Sequence, residues 1–440
     1  MHYLVNPAPL GGGAVAVPGD KSISHRALML GAIGDGETVV RGFLQGEDCK
    51  ATLAALRSMG VGIDLLDATT LRIHGVGMHG LAAPPADLDL QNSGTGMRLL
   101  AGLLCGQRFS SRLTGDASLM RRPMARVIEP LGRMGADIGS NGGLPPLTIN
   151  GNRRLCGIRY SLPVASAQVK SAILLAALYA EGETSINEPA PTRDHTERML
   201  KSLGVSLRAE GRRISMTGKQ PVRSAPVDVP GDLSSAAFLI VAGLLAPQCE
   251  LLVQGVGINP TRNGVIEILR CMGAKIEVEN CEMMGFEPVA DIRVRSSELR
   301  GIDVDPSLVS LAIDEFPLLF VAAAAAAGRT RFAGIGELRV KESDRISAMA
   351  EGLRCLGVSV EESDDGAEIL GGTIAGGSVE SHGDHRVAMS FAVAGTIAEG
   401  PLKILHADAV DTSFPDFVGC LRSVGADLTV EHSATAGKLP

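Results

Sequence analysis

The sequence predicts an α/β protein (α+β in some classification schemes) with two similar globular domains, each made of three repeated strand-helix units around buried central helices. Three observations support this prediction. A helix-ending pattern recurs six times, a nearly apolar helix precedes each copy, and one four-residue motif occurs in both halves of the chain. The length of 440 residues also exceeds the roughly 250–300 residues at which single cores stop growing.

The recurring pattern is Leu-x-x-x-Gly-(Val/Ala). Its glycines are Gly60, Gly135, Gly204, Gly273, Gly357 and Gly425. Apolar residues at helical spacing precede each glycine, and alternation typical of a strand follows it. Each copy therefore predicts an outer amphipathic helix, a glycine in the left-handed conformation, and then a strand.

A second set of helices is apolar nearly all round. Their predicted ranges are 22–33, 94–104, 166–180, 233–245, 314–327 and 383–395. A helix without a polar face is typical of a buried position, so these six are the predicted central helices.

The domain boundary is marked by the motif Val-Pro-Gly-Asp, which occurs at 17–20 and again at 229–232. Three repeats follow each copy. We expect a first domain over 19–228 and a second made of 1–18 plus 229–440. The two crossovers near 14–20 and 226–232 would form a hinge, and a cleft between the halves is the expected ligand site.

The composition excludes several classes of protein. A formal net charge of −8 argues against nucleic acid or an anionic membrane as the main partner. The eight cysteines form no metal-ligand pattern, which predicts reduced thiols and a cytoplasmic location. The start of the chain lacks the features of a secretory signal. The longest apolar run in the whole sequence is too short to span a membrane.

Polar residues in the buried helices of the first half concentrate at the N-terminal ends. Free N–H groups and the helix dipole favour phosphate and carboxylate there. The residues, in three segments, are Lys21, Ser22 and Arg26; Asn92, Gly94, Thr95 and Arg98; and Ser166, Gln168 and Lys170. Ordinary alternatives are a solvated Lys/Arg pair, a bare turn and an N-capping serine, respectively.

Two further segments of the first half carry basic residues. Arg121 and Arg122 precede a helix that Pro123 can start, and Arg193 opens the run Arg193-Asp194-His195 before an amphipathic helix. A solvated surface explains the arginine pair about as well as ligand binding does. Ordinary helix capping is the alternative for the second segment.

The second half adds acidic residues to basic ones. The residues are Asp314 and Glu315; Lys341, Glu342, Asp344 and Arg345; and Asp384, His385 and Arg386. A carboxylate at the head of an apolar helix is either a cap or a base. The second group is equally consistent with i,i+4 pairing on a surface helix, and the third with a structural ion pair.

Together these groups predict substrates rich in phosphate and carboxylate. The sequence has no P-loop, no dinucleotide fingerprint and no metal-ligand cluster, so we expect neither a cofactor nor a metal. Proton transfer and charge stabilisation would then carry the chemistry.

The ordered motifs DKSxSHR, NSGTxxR, RRP, SAQxKSA, DE[FY]P, KESDR and GDHRxAM resemble those of 5-enolpyruvylshikimate-3-phosphate (EPSP) synthases over nearly the whole chain. The segments SAQVKSA, TRDHTERML and DEFP are similar to the bacterial class II branch. The resemblance implies inverse α/β barrel domains and a monomeric enzyme of the shikimate pathway. Its reaction would transfer the enolpyruvyl group of phosphoenolpyruvate to the 5-hydroxyl of 3-phosphoshikimate by addition and elimination.

The resemblance also implies roles for individual residues. The residues implied to bind 3-phosphoshikimate are Lys21, Ser22, Arg26, Ser166, Ala167 and Gln168, with Arg193 a weaker match. The residues implied to bind phosphoenolpyruvate are Lys21, Gly94, Arg122, Arg345 and Arg386. Asn92 and Thr95 belong to the matching binding motif. Asp314 would accept the proton of the attacking hydroxyl, Glu342 would take part in protonating the vinyl carbon, and Lys341 would bind substrate.

The chain departs from the best-known branch at two positions: Ser413 stands where that branch has a lysine, and Leu99 where it has a proline. Gly94 would leave room for the inhibitor glyphosate. The nearest rival is the sister enzyme that uses UDP-N-acetylglucosamine, whose KNxxLP motif and cysteine loop are absent. A non-catalytic anion-binding protein on the same scaffold is the other alternative, although it would be expected to lack Asp314 and Glu342. RNA 3′-phosphate cyclases share the six-unit scaffold, but an acidic chain argues against RNA.

Overall fold

The computed structural model describes residues 1–432, which group into two compact units. The N-terminal unit contains Pro18–Pro230 and also Met283–Pro288. The C-terminal unit contains Met1–Val17, Gly231–Glu282 and the described residues from Val289 onwards. The sequence gives no signal that the short segment 283–288 groups with the N-terminal unit.

Helices and strands alternate along the chain, which confirms the predicted α/β class. The helices are α1 Lys21–Ala32, α2 Glu47–Ser58, α3 Gly94–Leu104, α4 Ala125–Arg133, α5 Ala167–Ala177, α6 His195–Ser202, α7 Leu233–Leu245, α8 Gly264–Cys271, α9 Val309–Ala312, α10 Phe316–Ala325, α11 Arg345–Cys355, α12 His385–Gly395 and α13 Phe417–Ser423. Short 3₁₀ turns occupy Leu119–Arg121, Pro306–Leu308, Gly336–Val340 and Ala407–Thr412.

The strands are short, and most are two to five residues long. They are β1 His2–Asn6, β2 Gly13–Ala16, β3 Glu37–Arg41, β4 Gly62–Leu65, β5 Leu71–His74, β6 Leu88–Asp89, β7 Ser111–Thr114, β8 Asp137–Asn141, β9 Leu144–Asn150, β10 Arg159–Ser161, β11 Glu183–Asn187, β12 Leu207–Glu210, β13 Arg213–Thr217, β14 Val227–Asp228, β15 Glu250–Gly257, β16 Lys275–Met284, β17 Glu287–Arg295, β18 Arg329–Phe332, β19 Ser359–Ser363, β20 Gly366–Leu370, β21 Gly377–Glu380, β22 Leu402–Leu405 and β23 Asp427–Glu431.

The described strands form six small sheets, three in each unit. The N-terminal unit has the orders β14-β3-β5-β4, β6-β7-β9-β8 and β10-β11-β13-β12, and the C-terminal unit has β16-β17-β15-β2, β18-β20-β19 and β21-β22-β1-β23. In five of them an edge strand pairs in parallel with its neighbour and the other pairs are antiparallel. The repeat is therefore strand, buried helix, strand, outer helix and hairpin.

The central helices are buried on all sides. In the C-terminal unit, every residue of α12 and every residue of α7 except its last is buried. Sheets cover such helices all round, so no face needs polar side chains, and each fully buried Leu or Ile contributes roughly 1.5–3 kcal/mol. The predicted buried helices appear as α1, α3, α5, α7, α10 and α12, which confirms them.

The glycine after each outer helix confirms the repeat. All six glycines have a positive φ, between 82° and 105°. At Gly60, for example, φ is 88°, a conformation in which a Cβ atom would be strained. The helices themselves are short: within residues 1–432, no helix is long and apolar enough to cross a membrane.

Candidate active site

In the N-terminal unit, α1 begins with a capped and charged turn. The Asp20 carboxylate accepts a hydrogen bond from the Ile23 amide at 2.9 Å and so caps the helix. Lys21 Nζ lies 2.8 Å from Asp48 Oδ2, at the start of α2. Lys21 is therefore held by a specific partner, and the solvated-pair interpretation is wrong for it.

Arg26 lies one turn further along α1, with only 3% of its surface exposed. Its guanidinium donates to Thr196 Oγ1 at 2.7 Å, Ser171 Oγ at 2.7 Å and the Ser22 carbonyl at 2.8 Å. Burial, partly opposed by the negative charge of Glu197, lowers the pKa of Arg26 to about 10. The positive charge of Arg193 acts in the same direction as burial, which places Arg193 in the electrostatic surroundings of Arg26.

The start of α3 brings two arginines to Gly94. Ser93 caps the helix by accepting from the Gly96 amide at 3.0 Å. A Cβ atom on Gly94 would lie 2.9 Å from Arg122 Nη1 and 3.0 Å from Arg98 Nη1. The glycine therefore lets two guanidinium groups approach the helix start, which a bare turn would not do.

Arg122 is buried and donates to Asn92 Oδ1, whereas Arg121 is exposed. The surface interpretation of the arginine pair is therefore right only for Arg121. Pro123 does not start a helix, since α4 begins two residues later, at Ala125. The Met124 amide instead donates to the Gly143 carbonyl at 2.8 Å, which holds this segment outside the helix.

The start of α5 joins the start of α3 through Gln168. Its side chain accepts from Arg98 Nη1 at 2.6 Å and donates to Thr95 Oγ1 at 2.8 Å. Ser166 caps α5 by accepting from the Val169 amide at 3.4 Å, and Ala167 is its first residue. Gln168 therefore links two of the three segments predicted in the first half.

Lys170 is not solvated. It has 1% of its side chain exposed and lies 3.0 Å from Glu188 and 2.7 Å from Glu197. Its Nζ also donates to the Thr192 carbonyl at 3.3 Å. Lys170 thus forms the centre of a buried ion-pair cluster. This cluster adjoins Arg26, because Glu197 pairs with Lys170 and the preceding residue, Thr196, accepts a hydrogen bond from Arg26.

His195 is also buried, and its Nδ1 lies 2.7 Å from Glu287 Oε1. Glu287 belongs to the hairpin segment 283–288 of the same unit. Asp194, at the N-cap of α6, makes no side-chain capping bond and instead accepts from Arg198 Nε at 2.8 Å. Ordinary side-chain capping therefore does not explain this segment.

In the C-terminal unit, Arg345 gathers three carboxylates. Only 1% of its side chain is exposed, and its guanidinium lies 2.8 Å from Asp384, 2.6 Å from Glu342 and 3.5 Å from Asp314. Burial opposes the charge, but Asp384, Glu342 and Asp314 together raise the pKa of Arg345 above its usual value. The surface-helix interpretation of this motif is therefore wrong for Arg345.

Asp314 and Glu342 are the more accessible carboxylates of this group, with 19% and 20% of their side chains exposed. Lys341 Nζ lies 3.5 Å from Asp314 Oδ1, and Arg386 Nη1 donates to the Asp314 carbonyl at 3.0 Å. The helix α10 begins at Phe316 and has no side-chain cap. The structure therefore shows no side-chain cap at the start of α10, so the cap interpretation is not supported.

Asp384 combines a cap with a buried ion pair. It accepts from the Arg386 amide at 2.8 Å and from Arg345 Nε at 2.8 Å, and it is fully buried. Burial raises the pKa of Asp384, but the positive charge of Arg345 outweighs it, so the pKa lies below the usual range. The structural ion pair considered for this motif is thus present.

The lowered pKa of Asp384 predicts a pH dependence. A carboxyl group whose pKa is lower in the folded state stabilises the protein above its unfolded-state pKa of about 3.9, and this contribution is lost as the pH falls through the lower folded-state value. The free energy of unfolding should therefore differ most between wild type and Asp384→Asn above pH ~4, and the difference should shrink on acidification. Urea titrations at several pH values, with the exposed Glu361→Gln as control, would measure it; a constant difference would contradict the prediction.

One hydrogen-bond network at the helix starts of the C-terminal unit was not predicted from the sequence. Arg262 is buried and donates to Asp232 Oδ1 at 2.6 Å and to Ser234 Oγ at 2.7 Å. Ser234 in turn donates to Glu315, which lies 3.6 Å from Arg386. The starts of α7, α10 and α12 are thereby linked, and the only sequence signal for Arg262 was its place in a turn-rich Asn-Pro-Thr-Arg-Asn segment.

Each unit therefore has its own cluster of predicted residues. The N-terminal unit holds Lys21, Ser22, Arg26, Asn92, Gly94, Thr95, Arg122, Ser166, Ala167, Gln168 and Arg193, and the C-terminal unit holds Asp314, Lys341, Glu342, Arg345 and Arg386. Binding of anions fits the first cluster. Proton transfer beside fixed cations fits the second.

Comparison with known proteins identifies close relatives. The sequence profile of the EPSP synthase (3-phosphoshikimate 1-carboxyvinyltransferase) family matches residues 7–421. The 3-phosphoshikimate 1-carboxyvinyltransferase of Alkalilimnicola ehrlichii is 56% identical over 98% of this chain and 97% of its own, and that of Methylococcus capsulatus is 56% identical over 95% and 96%. A structure of EPSP synthase from Acinetobacter baumannii has a TM-score of 0.87 and 50% identity, covering 98% of this chain and all of its own.

Proposed function

Because the chain belongs to the EPSP synthase family, we propose that the two clusters of helix-start residues carry the reaction of that family in this enzyme. The reaction is the transfer of the carboxyvinyl group of phosphoenolpyruvate to the 5-hydroxyl of 3-phosphoshikimate, in the shikimate pathway. The contacts of Arg345 with both Asp314 and Glu342 are the main support for the proposal, because they hold two partly exposed carboxylates beside one fixed cation.

On the N-terminal unit we assign the 3-phosphoshikimate contacts to Lys21, Ser22 and Arg26, to the α5 start at Ser166–Gln168, and to Arg193. Free amides and the dipole at a helix start suit a phosphate group. Arg26 is already oriented by three hydrogen bonds, so little side-chain freedom is lost when a ligand binds.

We assign phosphoenolpyruvate to Lys21, Gly94 and Arg122, with Arg345 and Arg386 as its cations on the C-terminal unit and Lys341 as a further substrate contact. Asn92 and Thr95 orient these groups, since Asn92 accepts from Arg122 and Thr95 accepts from Gln168. Ser413, buried at the end of a 3₁₀ turn, supplies no cation where the best-known branch has a lysine.

The chemistry follows addition and then elimination. As the 5-hydroxyl oxygen bonds to C2 of phosphoenolpyruvate, Asp314 accepts the hydroxyl proton and Glu342 delivers a proton to C3, which gives a tetrahedral phospho-ketal. The C2–O bond to phosphate then breaks as Glu342 takes a proton back from C3, which restores the vinyl group, and the proton held by Asp314 leaves with the phosphate. The neighbouring cations stabilise the developing negative charge throughout.

The direct test is release of inorganic phosphate by purified enzyme given phosphoenolpyruvate, with 3-phosphoshikimate or UDP-N-acetylglucosamine as acceptor. Release with 3-phosphoshikimate alone is the expected result. Release with the nucleotide sugar would overturn the acceptor assignment, and no release with either would favour a non-catalytic anion-binding protein.

Gly94→Ala is expected to raise the KM for phosphoenolpyruvate by roughly tenfold, the effect of losing about one hydrogen bond. The added Cβ would displace the Arg122 and Arg98 guanidinium groups, which lie within 3.0 Å of its position. Steady-state kinetics would measure the change, and the same series would give the glyphosate inhibition constant. Gly132→Ala is the matched control, since no atom outside its own helix backbone and chain neighbours lies within 4 Å of its added Cβ. Equal KM values in both variants would contradict the prediction.

We further propose that the enzyme acts as a cytoplasmic monomer without a cofactor or a nucleic acid partner. All eight cysteines are free thiols, which is consistent with a reducing compartment. Sedimentation of the purified protein would test the oligomeric state.

A further inference from the structure

The N-terminal unit contains a polar cavity that uses none of the candidate active-site residues. Its volume is about 230 Å³, and it lies where α3 and α5 end, whereas the active-site residues lie where these helices begin. Arg108, Arg153, Arg154, Lys219, Tyr179 and Glu181 are among its lining residues.

The lining has an excess of positive charge. Glu181 is shared by Arg154 (Nε to Oε2, 2.7 Å) and Lys219 (Nζ to Oε1, 2.5 Å), and Arg153 pairs with Asp137. Arg108 has no ion-pair partner within residues 1–432. Four cations line the cavity, and two carboxylates pair with them: Glu181, which also lines it, and Asp137, which does not. The excess is therefore two positive charges, in a chain whose net charge is −8.

The usual reason for cations at helix ends is compensation of the helix dipole. The C-terminal unit shows that this fold does not require them. A cavity of about 970 Å³ lies at the ends of α7, α10 and α12, and among the described residues Glu298 is the only charged one that lines it. Leu245, Leu299 and Ile374 are typical of the rest of that lining. The basic lining is thus a property of the N-terminal unit alone.

A buried hydroxyl group also points to a ligand. The Tyr179 side chain lines the cavity, is more than nine-tenths buried, and lies beside Gln107 without reaching hydrogen-bond geometry. Burial raises the pKa of Tyr179 above its usual value, so the hydroxyl remains a neutral donor. Buried donors without a partner are rare because they are costly, and a small shift of the Tyr179 ring towards the cavity would let its hydroxyl meet a ligand acceptor.

We propose that this cavity binds a small dianion that carries a phosphate group. Planar arginine groups and a lysine suit phosphate oxygens, and the Tyr179 hydroxyl supplies a further donor. The volume is below the ~300–1,000 Å³ of sites for drug-sized ligands, so the ligand is small. The excess of two positive charges matches the charge of a phosphate monoester.

The test is equilibrium dialysis of labelled inorganic phosphate against the full chain at about 0.15 M salt, where distant charges are screened. Phosphate bound at the active site is common to wild type and variants, so it cancels in the comparison. The double variant Arg108→Gln/Lys219→Gln is expected to bind one phosphate fewer per chain than wild type. Tyr179→Phe is expected to weaken the same site roughly tenfold. A second series with glycerol phosphate tests whether the natural ligand is inorganic phosphate or a phosphate monoester. Tighter binding of glycerol phosphate than of inorganic phosphate would assign the site to a phosphate monoester.

The matched control is Arg112→Gln/Lys50→Gln, which removes the same charge from exposed ion pairs outside the cavity. It should bind as much phosphate as wild type. Both double variants should retain phosphate release from the substrates within about twofold, which separates this proposal from the assignment of the active site. Undiminished phosphate binding in Arg108→Gln/Lys219→Gln, or an equal loss in the control, would overturn the proposal.

Discussion

Asp314→Asn is expected to lower kcat by about 10²–10⁴-fold, the usual contribution of a positioned acid or base. The amide has nearly the shape of the carboxylate but cannot accept the proton of the attacking hydroxyl. The contacts of Asp314 with Lys341 and Arg345 are long, at 3.5 Å each, so their loss should leave the fold intact. Steady-state phosphate release would give kcat and KM separately.

Asp303→Asn is the matched control for this experiment. Asp303 lies in the same unit and also pairs with an arginine, Arg329, but it is exposed. Its variant should retain wild-type kcat. If Asp314→Asn raised only the KM and left kcat unchanged, Asp314 would be a binding residue and the proton assignment would be wrong.

Lys170→Met is expected to have the largest effect on stability, a loss of roughly 3–5 kcal/mol. The substitution would leave the carboxylates of Glu188 and Glu197 in a buried site without their cation. Burial already raises the pKa of Glu188 above its usual value, even with Lys170 present. Urea unfolding monitored by circular dichroism would measure the change.

Two comparison variants make this prediction specific. Lys50→Met removes a lysine from an exposed pair with Glu47 and should change the free energy of unfolding by less than about 1 kcal/mol. Adding Glu188→Gln and Glu197→Gln to Lys170→Met should restore much of the loss, because the buried charges are then removed together. A triple variant as unstable as the single one would show that lost packing is the cause.

The sequence was sufficient to predict the elements that depend on local patterns. The central helices have no polar face and can only be buried, and the glycine after each outer helix marks its end with a positive φ. Polar residues inside an apolar helix were likewise conspicuous, so the sequence alone was enough to propose Arg26 and Gln168 as site candidates, whereas Arg345 begins an outer helix and stood out less. The parallel edge strands were harder to predict, because β6 and β14 have only two residues each.

What the sequence could not show depends on partners that are distant along the chain. Lys170 and Arg26 have similar positions near helix starts, but only the structure shows that Lys170 meets two glutamates and is unavailable to a ligand. Arg262 binds Asp232 and Ser234, about 30 residues earlier, from a turn without periodic pattern. Burial of a charge becomes apparent only when its neutralising partner is located.

The segment 283–288 has a consequence for dividing this chain into pieces. A gene fragment that encodes only residues 18–230 would lack Glu287, the partner of buried His195, and the Phe286 carbonyl, which accepts from Arg198. The fragment would expose the polar side of α6 to water beside the cluster that orients Arg26. Expression of these fragments from separate genes would therefore require complementation, in which the fragment that carries residues 231–440 returns six residues to its partner.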